Sequence, residues 1–228
     1  MTEFIHNDTD LSLLPNTKGK KIEGYRFYDI DGQNYPSVTS VLGIRKKEGL
    51  QKWRESIGED VANWEMNRAA RRGKSFHKLV EQYLNNETPS IRDVLPLGLF
   101  RLAKPYIDQI NNIRLLEKIM VSPKLTIAGQ VDCVAEYNGK LSVIDFKSAN
   151  KERKEDWIEN YFLQCTAYSS MYEETFGEKI EQIVVLLAAE DGTMTAYVKD
   201  PQDYIEELVL SIETFYRSVM KELFEPAR

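Results

Sequence analysis

Residues 129–147 read GQVDCVAEYNGKLSVIDFK, and this stretch decides the fold of the chain around it. The pair Asn138-Gly139 lies between two runs rich in valine, isoleucine, leucine and aromatic residues, which predicts a hairpin with a two-residue loop. A loop of that length sets the register of the two strands. We therefore expect Asp132 to lie directly opposite Asp145 in the hairpin.

This register predicts a polar face and an apolar face for the hairpin. Cross-strand partners share a face, with Cβ atoms roughly 5 Å apart, so the polar face carries both aspartates together with Gln130 and Lys147. The other face is expected to pack in the core, and it carries Val131, Cys133, Ala135, Ile144 and Phe146. A slip of one residue in register would move the aspartates to opposite faces.

Two carboxylates that face each other repel unless a positive charge compensates them. A hard divalent cation does so, because carboxylate oxygens are ligands that Mg²⁺ and Mn²⁺ prefer. A lysine beside such a metal can orient or deprotonate a water molecule. The alternative is that Lys147 only neutralises Asp132 and Asp145 on a solvated sheet face.

The composition is typical of one soluble globular domain. The chain has 228 residues, 42% hydrophobic and 29% charged, and contains no apolar run of membrane-spanning length. We expect a single domain, 1–228, with an irregular arm at 1–20 and the core of the site within 70–200. No signal peptide is predicted, so we expect a cytoplasmic protein without a membrane partner, in the host cytoplasm if phage-encoded. Cys133 and Cys165 are too few for a four-thiolate iron–sulfur site and are expected in the core of a reduced protein.

The net charge of −6 does not indicate nucleic-acid binding, but the basic residues are clustered along the chain. A local basic track can bind phosphates in an acidic protein, whereas solvated surface is the alternative for any one cluster. We take Arg71, Arg72 and Lys74 as candidate nucleic-acid contacts. The clusters are Lys18, Lys20 and Lys21; Arg45, Lys46 and Lys47; Arg68, Arg71, Arg72 and Lys74; and Lys151, Arg153 and Lys154.

Hydrophobic periodicity and turn signals predict an α/β (α+β) fold, with a mixed central sheet flanked by helices. The predicted helices are 50–85 with a break before Gly73, 97–112, 154–176 ended by Gly177, and 201–224. The predicted strands are 25–30, 34–38, 114–122, 125–137, 141–147, 182–189 and 194–198.

Two of these helices carry polar residues at a spacing of four, which places them on one helix face. In the first set, Gly73 allows close approach of another backbone, His77 can bind a metal or a phosphate, and Glu81 supplies a further acid. In the second set, the amide of Gln164 and the phenol of Tyr168 suit contacts to a phosphate, a strand or a metal-bound carboxylate. Either set alone is more often part of an ordinary amphipathic helix.

Four short motifs follow one another in the chain: GxxxH at 73–77, GxxD at 129–132, DxK at 145–147 and QxxxY at 164–168. Their order, and the type of element that carries each, resembles the RecB-type nucleases of the PD-(D/E)XK superfamily. The likeness covers residues 70–170, and the part beyond it fits only by element order. The segment YPSVTSVL at 35–42 is similar to the start of phage exonucleases and mitochondrial genome maintenance exonucleases of this group.

The resemblance implies a restriction-endonuclease-like core and roles for the motif residues. The implied metal ligands are His77, Asp132, Asp145 and the carbonyl of Phe146. The implied catalytic residues are Asp132, Asp145 and Lys147. Lys147 would position the attacking water and stabilise the developing charge, while Gln164 and Tyr168 would brace the site or the strand. Glu81 would lie behind the ligands or serve a second metal. The second acid is Asp145, where many superfamily members have glutamate, although aspartate also occurs in RecB-type proteins.

The resemblance therefore implies a Mg²⁺- or Mn²⁺-dependent DNA exonuclease that hydrolyses phosphodiester bonds. It would act on single strands or free ends in replication, recombination or repair, where a replication or recombination protein could be its partner. A structure-specific endonuclease and a non-catalytic nucleic-acid-binding module are alternatives. A protein-binding accessory subunit is a third, for which the acidic last helix would be the feature: Glu206, Glu207, Glu213, Glu222 and Glu225.

Aromatic residues beside basic ones add a prediction about the substrate. Stacking on bases of a single strand is one role for these side chains, and packing inside the N-terminal hairpin is the other. The residues in question are Tyr25, Phe27, Tyr28 and Tyr35. Trp53 and Trp64 lie on a helical stretch that would roof a channel for a threaded free end.

Overall fold

The computed structural model describes residues 3–90, 93–220 and 223 of the protein. Two sheets and the helices that cover them make up the fold. The strands are β1 (Gly19–Ile22), β2 (Tyr25–Ile30), β3 (Gln33–Pro36), β4 (Ile110–Ser122), β5 (Ile127–Tyr137), β6 (Lys140–Ala149), β7 (Gln182–Ala189) and β8 (Met194–Lys199). The α-helices are α1 (Val38–Gly43), α2 (Lys47–Ile57), α3 (Glu59–Leu84), α4 (Val94–Ile107), α5 (Glu159–Phe176) and α6 (Ile205–Phe215).

The central sheet has five strands in the order β4-β5-β6-β7-β8. Strands β6 and β7 run parallel, whereas the other neighbours are antiparallel. Parallel neighbours require a long crossover connection, and α5 forms it on one face of the sheet together with α1 and α6. Helices α3 and α4 pack on the opposite face. The predicted mixed sheet between two helical layers is therefore confirmed.

The central hairpin has the register that its turn predicts. Asn138 and Gly139 have φ values of 51° and 78°, the left-handed pair that a type I′ turn requires. The paired residues run from Tyr137 opposite Lys140 to Cys133 opposite Ile144. The described ladder stops there, one pair before the two aspartates.

The alternation of faces along β5 changes at Asp132. Val134 and Val131 both pack with α5, although they are an odd number of residues apart. Cys133 packs on the opposite face, with α3 and α4. The prediction that Val131 shares a face with Cys133 and Ala135 is therefore wrong. The reason is the irregular backbone of the neighbouring strand β4 at Glu117, which also orients a side chain of the site described below.

The N-terminal strands form a separate antiparallel sheet in the order β1-β2-β3. Three of the four hairpin aromatics are buried: Phe27, Tyr28 and Tyr35. These three rings are core residues and are not exposed for stacking on bases. The described part of the predicted arm, residues 3–20, is docked on the fold, because His6 forms a bridge with Ile113 and residues 19–20 already belong to β1.

Several predicted helix limits are wrong. The break in the long helical stretch lies at Gly58, whose φ of 85° is a left-handed value, while α3 runs through Gly73. The helix predicted to reach 112 ends at Ile107, since Ile110 already pairs with β5. The last predicted helix, 201–224, starts as a 3₁₀ turn and continues as α6 and a π segment to Met220. Its end at 224 lies outside the described residues. No helix in the described ranges is long and apolar enough to cross a membrane.

Candidate active site

Three side chains from three elements meet at one edge of the central sheet. His77 comes from α3, Glu117 from β4 and Asp132 from β5, and one ligand atom of each lies within 4.8 Å of the others. The His77 Nδ1 atom is 3.6 Å from Asp132 Oδ2 and 3.9 Å from Glu117 Oε1. One imidazole and two carboxylates at this spacing form a donor set that could hold a divalent cation.

The backbone of β4 explains why Glu117 points into this cluster. Glu117 has a φ of 51°, a left-handed value that is uncommon for a residue with a side chain. The neighbouring pairs, Leu116 with Cys133 and Lys118 with Val131, place Glu117 opposite Asp132. An irregularity of this kind re-aims side chains and often lies next to active sites, so the change of face turns both carboxylates towards one point.

Asp145 lies beside this cluster and is almost completely buried, at 1% exposure. Its Oδ1 accepts hydrogen bonds from Lys147 Nζ at 2.7 Å and from Gln164 Nε2 at 3.0 Å. Its Oδ2 also lies 2.7 Å from the Lys147 ammonium. However, that oxygen accepts no hydrogen bond of acceptable geometry from any described residue. Burial raises the pKa of Asp145 to about 6, and the ammonium of Lys147 offsets part of that rise.

A buried carboxylate oxygen without a donor is uncommon in folded proteins and needs an explanation. A divalent cation would provide it, because Asp145 is close enough to the cluster for the charges of Asp132 and His77 to act on its carboxylate. The donor set, rich in carboxylates, suits Mg²⁺ or Mn²⁺. The residues present therefore fit a divalent metal at this site.

The two cationic groups of the site remain protonated when no metal is bound. For His77, burial alone would lower the pKa, but the Asp132 charge and the Glu117 contact outweigh it and raise the pKa to about 9. For Lys147, burial also acts to lower the pKa, and the charges of Asp145 and Asp132 outweigh it, so the pKa is raised. In the metal-free protein, Lys147 is therefore an ammonium cation, which donates hydrogen bonds.

Asp132 is held by the backbone of the neighbouring strand. Its Oδ2 accepts a hydrogen bond of 2.9 Å from the Phe146 N–H. The Phe146 ring is buried in the core formed with α3 and α4. This anchoring limits the rotation of the Asp132 carboxylate. The role of the Phe146 carbonyl as a ligand stays a prediction.

Gly129 and Tyr168 explain why the GxxD and QxxxY motifs occur together. A Cβ on Gly129 would lie 2.8 Å from Tyr168 Cε1 and 2.9 Å from its Oη, closer than packed atoms approach. Tyr168 is buried, and one turn earlier on the same helix Gln164 bonds Asp145. The glycine thus allows α5 to approach the sheet closely enough for Gln164 to reach the site.

The other predicted site residues of α3 have different surroundings. A Cβ on Gly73 would meet its nearest atom at 3.9 Å, so this glycine is not required for close approach. Glu81 faces the site from one turn beyond His77, and burial together with the Glu117 charge raises its pKa. Arg71 and Lys74 are exposed and stay candidate nucleic-acid contacts.

Arg72 is buried, at 6% exposure, and is not available to DNA. Its guanidinium contacts the side chains of Ser148, Asn150 and Glu190, and Glu190 also pairs with Arg68. The prediction that Arg72 contacts nucleic acid is corrected. This arginine joins α3 to the ends of β6 and β7 next to the site.

Glu117 is the residue of the cluster that the sequence analysis missed. A hairpin between β4 and β5 turns at residues 123–126, since Ser122 pairs with Ile127. Pro123 marks that turn in the sequence, and the resulting register places Glu117 opposite Asp132. The sequence therefore contains the turn signal that sets the register of β4 and β5. It contains no signal for the change of face that turns the Glu117 side chain into the cluster.

Residues 51–227 match the family model of the PD-(D/E)XK nuclease superfamily, which is most of the chain. The chain belongs to this superfamily, and the predicted resemblance is confirmed. The four motifs lie on the elements predicted for them, around one cluster.

Within the superfamily, the chain is similar to a vertebrate exonuclease. It is 30% identical over 174 residues to mitochondrial genome maintenance exonuclease 1 of Homo sapiens, covering 69% of this chain and 50% of that protein. The protein of the same name from Mus musculus is 28% identical over 173 residues, covering 69% and 51%. The chain thus spans about half the length of these curated relatives. A crystal structure from Eubacterium rectale superposes with a TM-score of 0.49 over 70% of this chain and 69% of that chain, at 10% identity, a likeness too distant to carry an argument.

Proposed function

We propose that the protein is a metal-dependent DNA exonuclease that hydrolyses phosphodiester bonds at free ends of single-stranded DNA. The observation that carries the proposal is the cluster of His77, Glu117 and Asp132 beside a buried Asp145. Acidic groups that converge in this way need a cation, and a cation beside an ammonium group suits chemistry on a phosphate. Trimming of ends in replication, recombination or repair is the process we propose for it.

Mg²⁺ or Mn²⁺ would supply the positive charge that activates water and stabilises negative charge on the phosphate oxygens. The proposed ligands are His77, Asp132, Asp145 and the carbonyl of Phe146, to which the geometry adds Glu117. The Phe146 N–H fixes one oxygen of Asp132, and Gln164 fixes one oxygen of Asp145. Held carboxylates of this kind lose little freedom when a metal binds.

Lys147 acts as a hydrogen-bond donor and a positive charge in the proposed reaction. Its ammonium group, held 2.7 Å from Asp145, orients the attacking water in line with the scissile bond. The same charge stabilises the extra negative charge that the phosphate acquires during attack.

A groove next to the site supports a single strand as the substrate. It has a volume of about 700 Å³ and is lined mostly by apolar side chains, with Trp53, Asn150 and Arg153 among its lining residues. Asn150 and Arg153 follow β6, the strand that carries Asp145 and Lys147, so the groove lies beyond the end of that strand. The exposed ring of Trp53 and the positive charge of Arg153 suit a stacked base and a backbone phosphate. Trp64 is exposed on the same helical pair.

The test uses matched linear and circular single-stranded DNA, with the linear form labelled at either end. Each substrate is incubated with the protein and Mg²⁺ or Mn²⁺, with an EDTA control. Lys147→Met and Asp145→Asn are the inactive variants, and Lys140→Met is the matched control, because Lys140 is exposed at the far end of the same hairpin. We expect metal-dependent loss of the linear strand alone, abolished by the first two variants.

The outcomes distinguish the proposal from its alternatives. Cutting of the circle would replace the exonuclease by an endonuclease. Binding without cleavage in either metal would leave a nucleic-acid-binding module and refute the enzyme.

The acidic last helix gives little support to a protein-binding role. Glu207 pairs with Arg45, and Glu213 pairs with Arg217 one turn later. These charges are thus partly compensated within the chain. Glu222 and Glu225 lie outside the described residues.

A further inference from the structure

A second lysine lies close to the catalytic one and has no role in the proposed reaction. The ammonium of Lys46, the residue before α2, lies 5.6 Å from the centre of the Tyr161 ring. The ammonium of Lys147 lies 4.9 Å from the centre of the same ring. One aromatic ring on α5 therefore holds both ammonium groups near the site, although they are far apart in sequence.

The positive charge around Lys46 is not compensated. Three carboxylates of this region pair with other cations, as Arg45–Glu159, Arg45–Glu207 and Lys199–Glu155. Among the described residues, neither Lys46 nor Arg153 forms an ion pair, and both are exposed. Lys46 is exposed as a whole, but its ammonium group lies against the Tyr161 ring, and this partial burial, followed by the charges of Arg153 and Arg45, lowers its pKa. Like charges held together at an exposed site favour an anionic ligand.

Arg153 connects Lys46 to the groove described above. It lines the 700 Å³ groove with Trp53 and Asn150, and its charge is close enough to act on Lys46. A strand that continues out of the groove along this positive charge would pass Arg153 and then the two lysines that lie against Tyr161.

We propose that Lys46 and Arg153 form a subsite that binds the phosphate adjacent to the scissile one in a single DNA strand. The inference rests on the proposed function and adds a specificity-determining site to it. An ammonium and a guanidinium supply charge-assisted hydrogen bonds to the two free phosphate oxygens. Because the two ammonium groups lie 5.6 and 4.9 Å from the centre of the Tyr161 ring, binding of that phosphate at Lys46 places the next one near Lys147.

The contacts of Lys46 argue against a purely structural role. Within the described part of the chain, its hydrogen bond to the Trp157 carbonyl is long, at 3.4 Å. Repulsion from Arg45 and Arg153 opposes the folded state, so a neutral side chain here should not destabilise the protein. Replacing a residue that serves ligand binding rather than folding commonly leaves the stability of the protein unchanged or raises it.

The test combines neutral side chains with neutral phosphates. Single-stranded oligonucleotides each carry one uncharged methylphosphonate linkage, scanned along the strand. Their binding in Ca²⁺ is measured by fluorescence anisotropy for the wild type, Lys46→Met, Arg153→Met and Lys46→Arg, with Lys140→Met as the control. Cleavage in Mg²⁺ and the melting temperature are measured in parallel.

Each neutral variant should bind ~10-fold more weakly and raise KM by the same factor, with kcat within about twofold. The slope of affinity against salt should fall by about 1. A methylphosphonate at one position should weaken oligonucleotide binding by the wild type ~10-fold. The same linkage should not weaken binding by Lys46→Met any further. The arginine variant should retain binding, and no melting temperature should fall.

Three results would overturn the subsite. The first is wild-type affinity in Lys46→Met, and the second is an equal loss from every neutral linkage in both proteins. The third is a fall of melting temperature and kcat together in Lys46→Met, which would make Lys46 structural. Failure of the wild type to cleave would refute the proposed function, while the binding data would still decide the subsite.

Discussion

Replacement of Gly129 by alanine tests whether helix packing positions the site. The added Cβ would lie 2.8 and 2.9 Å from two atoms of Tyr168, whose ring is buried and has no space to retreat. Either α5 or β5 must shift by several tenths of an ångström. A shift of α5 moves Gln164 away from the Asp145 oxygen that it holds at 3.0 Å.

We expect Gly129→Ala to lower the free energy of unfolding modestly and to lower the activity more strongly. Overpacking a core costs ~1–3 kcal/mol, and replacing a strand glycine with alanine returns ~0.5–1 kcal/mol, so the middle of the two ranges leaves a net loss of ~1 kcal/mol. In a protein of 228 residues, this loss lowers the melting temperature by ~2–4 °C. Because Gln164 no longer fixes Asp145, we expect kcat to fall by ~100-fold, since misplacement of the site is costly.

The assay is urea unfolding of the metal-free protein, with kcat measured on linear single-stranded DNA. Gly98→Ala is the matched control, because nothing lies within 4 Å of its Cβ and it sits in helix α4. This control should stabilise the protein by ~0.5–1 kcal/mol. Tyr168→Phe removes the Oη contact, so Gly129→Ala should cost less in that background than in the wild type.

Unchanged stability of Gly129→Ala would refute the reasoning. The reasoning would also be refuted if Gly129→Ala lowered the free energy of unfolding equally in the wild type and in the Tyr168→Phe background. In either case the coupling of the two motifs would need another explanation.

Three further predictions concern the cluster and its supports. Glu117→Gln should weaken Mn²⁺ binding by calorimetry ~10-fold or more, because it removes one carboxylate from the cluster. Metal affinity should rise up to tenfold per pH unit between about 6.5 and 9, since the proton on His77 must leave, and His77→Asn should flatten this dependence. Arg72→Met should cost ~3 kcal/mol in urea unfolding, because it breaks a buried ion pair with Glu190, whereas exposed Arg71→Met should stay within ~0.5 kcal/mol.

The sign of the pH effect follows from the direction of the shift. His77 has a folded pKa of about 9, above its ordinary 6.5. In the metal-free protein, its charge therefore contributes stability that is complete below pH 6.5 and lost as the pH rises towards 9. Asp145, with a pKa of about 6, titrates below this window. Metal affinity that is independent of pH would exclude His77 as a ligand, and full Mn²⁺ affinity in Glu117→Gln would exclude Glu117.

The hairpin and its register could be predicted because their cause is local. Asn138 and Gly139 accept left-handed backbone angles at little cost, and these angles determine which residues face each other. The helical spacing of Gln164 and Tyr168 follows in the same way from the chain itself. The predicted helix break before Gly73 is wrong. A glycine disfavours a helix by only a small free energy, and the sequence does not show whether tertiary packing keeps the helix intact there.

The parts of the site that depend on distant partners could not be predicted. Arg72 looked like one more exposed cation, but Glu190, 118 residues later, holds it inside the protein. Glu117 enters the cluster only because two strands change face together. Neither effect is visible in local spacing, because each depends on which surfaces come into contact.

The element order, the central turn and the motifs that place this chain among the PD-(D/E)XK nucleases can be read from the sequence alone, because backbone angles and side-chain periodicity are properties of neighbouring residues. The tertiary structure decided which acids converge, which arginine is buried and how closely α5 approaches Gly129. These outcomes follow from burial and charge pairing between segments that meet only in the folded protein.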